Sequence, residues 1–194
     1  MRIRLATTDD AGAVRAIYAP VVRATAISFE VDVPSEAEVA ARIVGRQPHH
    51  PWLVADGPGG VAGYAYAGRF APRAAYDWSV ETSAYIAEGT RGRGVGRALY
   101  AALLTILEAQ GYRQAMAGVA LPNPASAALH DAAGFVPVGV YRAAGWKLGA
   151  WHDVEWWQRP LAAAGGPPEP PTPLDRLPDG VLAAALEDAG RRLR

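Results

Sequence analysis

A glycine-rich, arginine-rich loop constrains this chain more than any other sequence feature. It is the run Arg91, Gly92, Arg93, Gly94, Val95, Gly96. A strand-like segment, Tyr76 to Ala87, precedes the loop, and an amphipathic helical segment, Ala98 to Gln110, follows it. Glycine allows a tight turn, and a helix starting near Val95 adds unpaired N–H groups and a partial positive charge. We therefore predict an anion site that suits a pyrophosphate.

The spacing of this loop differs from that of two other phosphate loops. A Walker A loop has Lys-Ser/Thr after its last glycine, where this chain has Arg97 and Ala98. A dinucleotide-binding loop has G-x-G-x-x-G early in a βαβ unit, whereas G-x-G-x-G lies in the middle of this chain. Arg91, Arg93 and Arg97 supply charge for phosphate oxygens. The alternative is a glycine-rich turn with solvated arginines.

Hydrophobic periodicity and turn residues predict the element order β-α-α-β-β-β-α-β-α-β-β, a mixed α/β (α+β) fold. Ser35 and Glu38 have capping-box spacing and predict a helix to about Arg46. Residues 1–161 are expected to form one domain. Residues 162–194 are expected to form a Pro/Gly-rich linker and a short helical tail, flexible or dependent on a partner because its apolar stripe is weak.

Composition limits the function classes. Lys+Arg and Asp+Glu both number 19, so no net charge recruits nucleic acid or anionic lipid. The absence of cysteine excludes disulfides, thiolate metal sites and a cysteine nucleophile. The N-terminus has no signal-peptide pattern, and no apolar run approaches the roughly 20 residues that span a bilayer. We expect a cytoplasmic protein that binds neither nucleic acid nor membrane.

Several motifs resemble those of a known family. Arg91-x-x-Gly94-x-Gly96 after a long fourth strand resembles the acyl-CoA pyrophosphate motif of GNAT acetyltransferases, and the segment from Asn123 to Phe135 resembles their second CoA-binding segment. Other segments are similar to the phosphinothricin N-acetyltransferase group, which includes acetyltransferases for methionine sulfone and sulfoximine. They are Tyr76 to Trp78, Glu81, Leu107 to Gly111, Leu121 to Asn123, Arg142 to Gly145 and Trp151 to Asp153.

The resemblance covers about residues 2–160. It implies the GNAT fold, a mostly antiparallel sheet of about seven strands flanked by helices. It also implies that acetyl-CoA acetylates the amine of a small amino-acid-like acceptor by direct transfer in a ternary complex. The implied cofactor-binding residues are Ile86, Arg91, Gly92, Arg93, Gly94, Val95, Gly96, Arg97, Asn123 and Ser126.

Two residues are the catalytic candidates. Most amines are protonated at neutral pH, so the acceptor needs a base. Glu81 matches the family's base position; otherwise it is a solvent-facing or structural strand residue. His130 stands where many GNAT enzymes have a tyrosine thought to protonate the leaving thiolate. The alternative for His130 is a hydrogen-bonded structural histidine on a partly buried helix face.

For the acceptor, the resemblance implies Phe29, Arg73 and Tyr76, with Phe29 reaching the site across a dimer interface. One departure matters: Ala71 stands where phosphinothricin-type enzymes have lysine. Losing that charge favours a less anionic acceptor, such as a methionine derivative or another small amine.

Tryptophans near the end of the domain also indicate a contact surface. Trp146, Trp151, Trp156 and Trp157 predict core or dimer contacts, and we expect a homodimer. No metal is expected. Two other functions remain open: acetylation of a protein or peptide amine in a long open groove, and non-catalytic acyl-CoA sensing.

Overall fold

A computed structural model describes residues 1–163 and 165–193, in which one seven-stranded sheet is flanked by five α-helices. The strands are Arg2–Leu5 (β1), Trp52–Gly57 (β2), Gly60–Arg69 (β3), Ser79–Ile86 (β4), Gln114–Ala120 (β5), Val136–Lys147 (β6) and Ala150–Pro160 (β7). The helices are Ala11–Ala24 (α1), Glu36–Arg46 (α2), Val95–Gln110 (α3), Pro124–Ala132 (α4) and Asp179–Arg191 (α5). Their order is the predicted one. Ala164 and Arg194 of the predicted tail segment lie outside the described residues.

The strands lie in the order β1-β2-β3-β4-β5-β7-β6. All neighbours pair antiparallel except β4 and β5, which are parallel. This confirms the predicted mixed, mostly antiparallel sheet. The α3 helix supplies the crossover that a parallel pair requires, because it lies in the chain between β4 and β5.

Each face of the sheet buries its own hydrophobic core. On one face, α3 inserts Leu99, Leu103, Ile106 and Leu107, all fully buried. On the other face, α1 and α2 pack on a second cluster that includes Trp52, Tyr64, Val14 and Ile43. The predicted capping box fixes the start of α2, since the Glu38 amide donates to Ser35 Oγ at 3.2 Å and the Ser35 amide donates to Glu38 Oε2 at 2.7 Å.

The strand predicted from Tyr76 begins at Ser79 instead. Residues Ala74–Tyr76 form a single 3₁₀ turn, closed by the Tyr76 amide donating to the Arg73 carbonyl at 2.9 Å. Asp77 then forms an ion pair with Arg69 of β3 at 2.7 Å. These local contacts hold the chain in a turn, so the strand-like sequence pattern begins three residues before the strand itself.

The C-terminal helix packs against the domain, so the expectation of a flexible tail is wrong. α5 lies against α3 and β1, where Leu174, Ala185 and Ala189 are buried. Gln110 anchors the segment that leads into α5 through two hydrogen bonds to Thr172. The Thr172 amide donates to the Gln110 carbonyl at 2.7 Å, and Gln110 Nε2 donates to the Thr172 carbonyl at 2.9 Å. The face of α5 that meets the core combines Ala185 and Ala189 with the partly buried Leu182 and Leu186, and the two small alanines allow close helix contact.

Within residues 1–163 and 165–193, no helix combines the length and the apolar character that crossing a membrane requires.

Candidate active site

The loop between β4 and α3 turns through two left-handed glycines. Gly92 has φ 75° and Gly94 has φ 81°, a region that L side chains rarely adopt. Gly96 is needed for a different reason: a Cβ there would lie 3.1 Å from Leu129 Cδ2 of α4. No side chain of the described residues caps the N-terminus of α3, so its first N–H groups point into the loop without a side-chain acceptor.

The loop's arginines are exposed and available to an anion. Arg91, Arg93 and Arg97 form no ion pair with any carboxylate in the described part of the chain. A cavity of about 370 Å³ extends from the loop between α3 and α4, and Gly94, Arg97, Arg159 and Arg192 are among the residues that line it. The loop and the helix terminus together form a positively charged surface beside this cavity, in which Arg159 and Arg192 are paired with Glu108 and Asp188.

A cleft opens beside this loop, because β4 and β5 separate. Their parallel pairing ends at Glu81 and Met116, and the next β4 residue, Thr82, donates only a side-chain hydrogen bond to the Met116 carbonyl, at 3.1 Å. Beyond that point β4 pairs only with β3. The backbone groups on the free edge of Ser83–Ile86 therefore face the cleft.

The other predicted cofactor residues border the same region. Ile86 ends β4, and its side chain approaches Gly96. Asn123 caps α4, since its Oδ1 accepts from the Ser126 amide at 3.1 Å. Asn123, Ser126 and His130 line a small cavity of about 40 Å³ with β4 and β5 residues, Ser83 and Gly118 among them.

Glu81 lies on β4 at the point where the cleft begins. It is half-buried, and no hydrogen bond to its carboxylate comes from residues 1–163 or 165–193. Burial raises the pKa of Glu81, and the nearby Arg46 guanidinium partly opposes that rise. A carboxyl group in this state can accept a proton from a ligand in the cleft.

His130 is buried, and both ring nitrogens are hydrogen-bonded. Nδ1 lies 2.8 Å from the Ser126 carbonyl, which can only accept, so Nδ1 carries the proton. Nε2 then accepts from the Tyr100 hydroxyl at 2.8 Å. Burial lowers the pKa of His130, which favours this neutral tautomer. In this arrangement, neither ring nitrogen is free to donate a hydrogen bond to a ligand.

The two catalytic candidates lie on opposite faces of the sheet. Thr82 Oγ1 is 3.4 Å from the Tyr100 hydroxyl, so Thr82 points to the α3 side that holds His130. Its neighbour Glu81 points to the α1 and α2 side, since successive strand residues alternate. The cleft between β4 and β5 lies between them.

Of the predicted acceptor residues, Arg73 and Tyr76 are neighbours in one turn, and Phe29 belongs to a different segment. Arg73 and Tyr76 are exposed before β4, and Tyr76 packs edge-on against Phe70, with ring centroids 5.6 Å apart. Phe29 lies in the connector between α1 and α2 and packs on Gly145 in the β6–β7 hairpin of the same chain. Lys147 of that hairpin anchors the connector, because its Nζ donates to the Ser28 carbonyl at 2.6 Å.

The described residues contain no group of three or more His, Cys, Asp or Glu side chains placed to hold a metal ion.

Comparison with known proteins defines the family. The model of the acetyltransferase (GNAT) domain matches residues 3–156. This chain belongs to the GNAT acetyltransferase family. It is 39% identical to the phosphinothricin N-acetyltransferase of Streptomyces viridochromogenes over 91% of this chain and 96% of that protein. It is 35% identical to the L-methionine sulfoximine/L-methionine sulfone acetyltransferase of Pseudomonas paraeruginosa, over 80% and 92% of the two chains.

A solved GNAT structure has the same fold. It is the phosphinothricin acetyltransferase (Pat) of Sinorhizobium meliloti in complex with AcCoA, with a TM-score of 0.78, 39% identity, and coverage of 82% of this chain and 87% of that one. The predicted family and fold are therefore confirmed.

Two residues beside the candidate site, Tyr100 and Arg46, were not predicted from the sequence. A tyrosine among the apolar residues of α3 was a usable signal, because a buried hydroxyl needs a partner. Nothing local in the sequence marks Arg46, since its neighbours in the fold come from strands distant in the chain.

Proposed function

We propose that this protein is an acetyl-CoA-dependent N-acetyltransferase for the amine of a small amino-acid-like acceptor. The observation that carries the proposal is the uncapped N-terminus of α3, with its glycine–arginine loop, directly beside a cleft that begins at Glu81. The acceptor class comes from the relatives, whose names specify phosphinothricin, methionine sulfoximine and methionine sulfone.

On this proposal, the loop binds the pyrophosphate of acetyl-CoA. The N–H groups of α3 and the charges of Arg91, Arg93 and Arg97 suit its two phosphates. The thioester arm lies between β4 and β5, where the free edge of Ser83–Ile86 offers backbone hydrogen bonds. Ile86, Asn123 and Ser126 border this path.

Glu81 acts as the base. It takes a proton from the acceptor's ammonium group, directly or through water, and the free amine attacks the thioester carbonyl. A C–N bond forms, the C–S bond breaks, and the thiolate leaves with the electron pair of that bond. The nitrogen then releases a second proton, which balances the proton that the thiolate takes up. The raised pKa of Glu81 suits this role, because a base works best when its pKa approaches the working pH.

The departing thiolate needs a proton, and we retain His130 as its proposed source. The hydrogen bonds of His130 set a condition, because Nε2 accepts from the Tyr100 hydroxyl and has no proton to give. Either the ring releases the Ser126 carbonyl and donates from Nδ1, or Nε2 first takes up a proton and the Tyr100 hydroxyl turns away from it. Replacing Tyr100 with phenylalanine separates the two routes, because it frees Nε2 for the second and leaves the first unchanged.

The acceptor proposal is tested by incubating purified protein and acetyl-CoA with phosphinothricin, methionine sulfone, methionine sulfoximine and ordinary amino acids. Mass spectrometry detects the N-acetylated products. We expect a methionine derivative to turn over faster than phosphinothricin, because Ala71 lacks the charge that a second anionic group would use. If no acetylated amino acid forms although the protein still binds acetyl-CoA, the proposal is contradicted.

We also propose a homodimer. The β6–β7 hairpin at the sheet edge exposes a set of apolar side chains: Val136, Val138, Tyr141, Trp146, Leu148 and Trp151. An exposed apolar edge of this kind favours association. Sedimentation should give a dimer for the wild type and a monomer for Trp146→Glu; a wild-type monomer would contradict the proposal.

The cytoplasmic location stays a prediction.

A further inference from the structure

Arg46, at the end of α2, places its guanidinium group over the sheet face that carries Glu81. It lies above the Tyr66 ring, 4.8 Å from the centroid, and 5.9 Å from the centroid of Trp52. Nη1 approaches the Ala67 carbonyl at 3.4 Å. The aromatic rings of β2 and β3 thus hold the cation by stacking, which leaves much of its hydrogen-bonding capacity unused.

Gly68 makes room for this guanidinium directly opposite Glu81. The two residues are register partners on β3 and β4. A Cβ at residue 68 would overlap Arg46 Nη1, so the arginine occupies the space of the missing side chain. Paired residues on antiparallel strands place their side chains on the same face, about 5 Å apart. Arg46 and Glu81 therefore flank the same small area.

The two groups nevertheless do not bond to each other. No hydrogen bond joins them, and Arg46 forms no ion pair with a carboxylate among the described residues. Other arginines on α2 and β3 do pair: Arg42 binds Glu30 at 2.7 Å, and Arg69 binds Asp77 at 2.7 Å. A half-buried guanidinium held in place without an anion is suited to bind one from a ligand.

We infer that Arg46 binds the α-carboxylate of the acceptor and so selects α-amino acids over other amines. The inference rests on the proposed function. An α-amino acid carries its amine and its carboxylate on one carbon, so the groups that receive them must be close neighbours. Glu81 and Arg46 meet that requirement: the amine lies toward Glu81, and the carboxylate lies on the guanidinium. Arg46 is then a specificity-determining residue, and Gly68 is the residue that gives it access.

The test compares an amino acid with its own primary amide, which keeps the amine and removes the negative charge. L-Methionine sulfone and its amide are the first pair, or the fastest amino acid of the acceptor panel and its amide. For Arg46→Ala we expect kcat/KM to fall about 10- to 100-fold on the amino acid and less than about threefold on the amide. Arg46→Lys should recover part of the loss.

Two further variants separate binding from general damage. Gly68→Ala retains the arginine but displaces its guanidinium, so it should lose activity on the amino acid and spare the amide. Arg23→Ala, at an exposed position at the end of α1, should change neither rate. Circular dichroism melts verify that each variant is folded.

Equal losses on both acceptors would overturn the inference. That result, with the acid limb of the rate profile moved to higher pH, would mean that Arg46 acts only through the Glu81 pKa, which it lowers. A different result would contradict the proposed function: a wild-type enzyme that acetylates no amino acid. The inference about Arg46 would then fail as well, because it rests on that function.

Discussion

At the scale of single residues, Glu81 is half-buried and its carboxylate accepts no hydrogen bond from the described residues, and this should cost stability. Its pKa is raised in the folded state, so the folded state binds the proton more tightly than the unfolded chain. Stability therefore falls as pH rises from the ordinary value of 4.5 through the raised pKa. We predict that Glu81→Gln melts at a higher temperature than wild type near pH 7.5, with the difference shrinking toward about pH 4. Thermal scans at both pH values measure it; a lower melting temperature near pH 7.5 would contradict it.

The Tyr100 hydroxyl should stabilise the fold through His130. Tyr100→Phe leaves the buried Nε2 without its donor, and we expect a loss of about 1–3 kcal/mol in the free energy of unfolding. Urea titration measures the change. Tyr141→Phe, at an exposed position, is the matched control and should be neutral. Equal stability of the two variants would show that the buried hydrogen bond contributes nothing.

Which site residues could be predicted depends on whether their signal is local. The phosphate loop could be predicted because its turn glycines, its arginines and the start of the helix are contiguous in the chain. Glu81 and His130 were found through the family resemblance, but the sequence did not reveal that they lie on opposite sheet faces. Arg46 escaped notice, because its partners Tyr66 and Gly68 reach it only through strand pairing.

At the scale of elements, the phosphate loop depends on the left-handed backbone of Gly94. Gly94→Ala strains that conformation by about 1–2 kcal/mol and turns the α3 N–H groups away from the anion. We predict acetyl-CoA binding about tenfold weaker by isothermal titration calorimetry. Gly59→Ala, in the open β2–β3 turn, is the control and should bind normally. Unchanged affinity in Gly94→Ala would contradict the proposed role of the loop.

Helices and strands could be predicted where the hydrophobic periodicity was strong. They could not be predicted where a turn has unusual residues. α3, closed by Gly111 at φ 91°, follows its pattern closely. The turn of the β6–β7 hairpin places Leu148, at φ 51°, next to Gly149 at φ 77°. Leucine rarely adopts a positive φ, so this pair gives no hairpin signal.

At the scale of the whole molecule, the C-terminal segment is part of the core rather than an appendage. Leu174 is 4% exposed and packs in the cluster that also contains α3. We predict that Leu174→Ala lowers the free energy of unfolding by about 2–5 kcal/mol. Val181→Ala, at an exposed position on α5, should have little effect. A Leu174→Ala variant as stable as wild type would restore the idea of a detached tail.

In the proposed mechanism, Glu81 deprotonates an amine that then takes the acetyl group directly from acetyl-CoA. The most direct test is the rate of thiol release by wild type and Glu81→Gln, with the best amino-acid acceptor and with acetyl-CoA affinity measured in parallel. We predict that kcat falls about 10²- to 10⁴-fold while acetyl-CoA binds with unchanged affinity. A Glu81→Gln enzyme that releases thiol at the wild-type rate would contradict the claim.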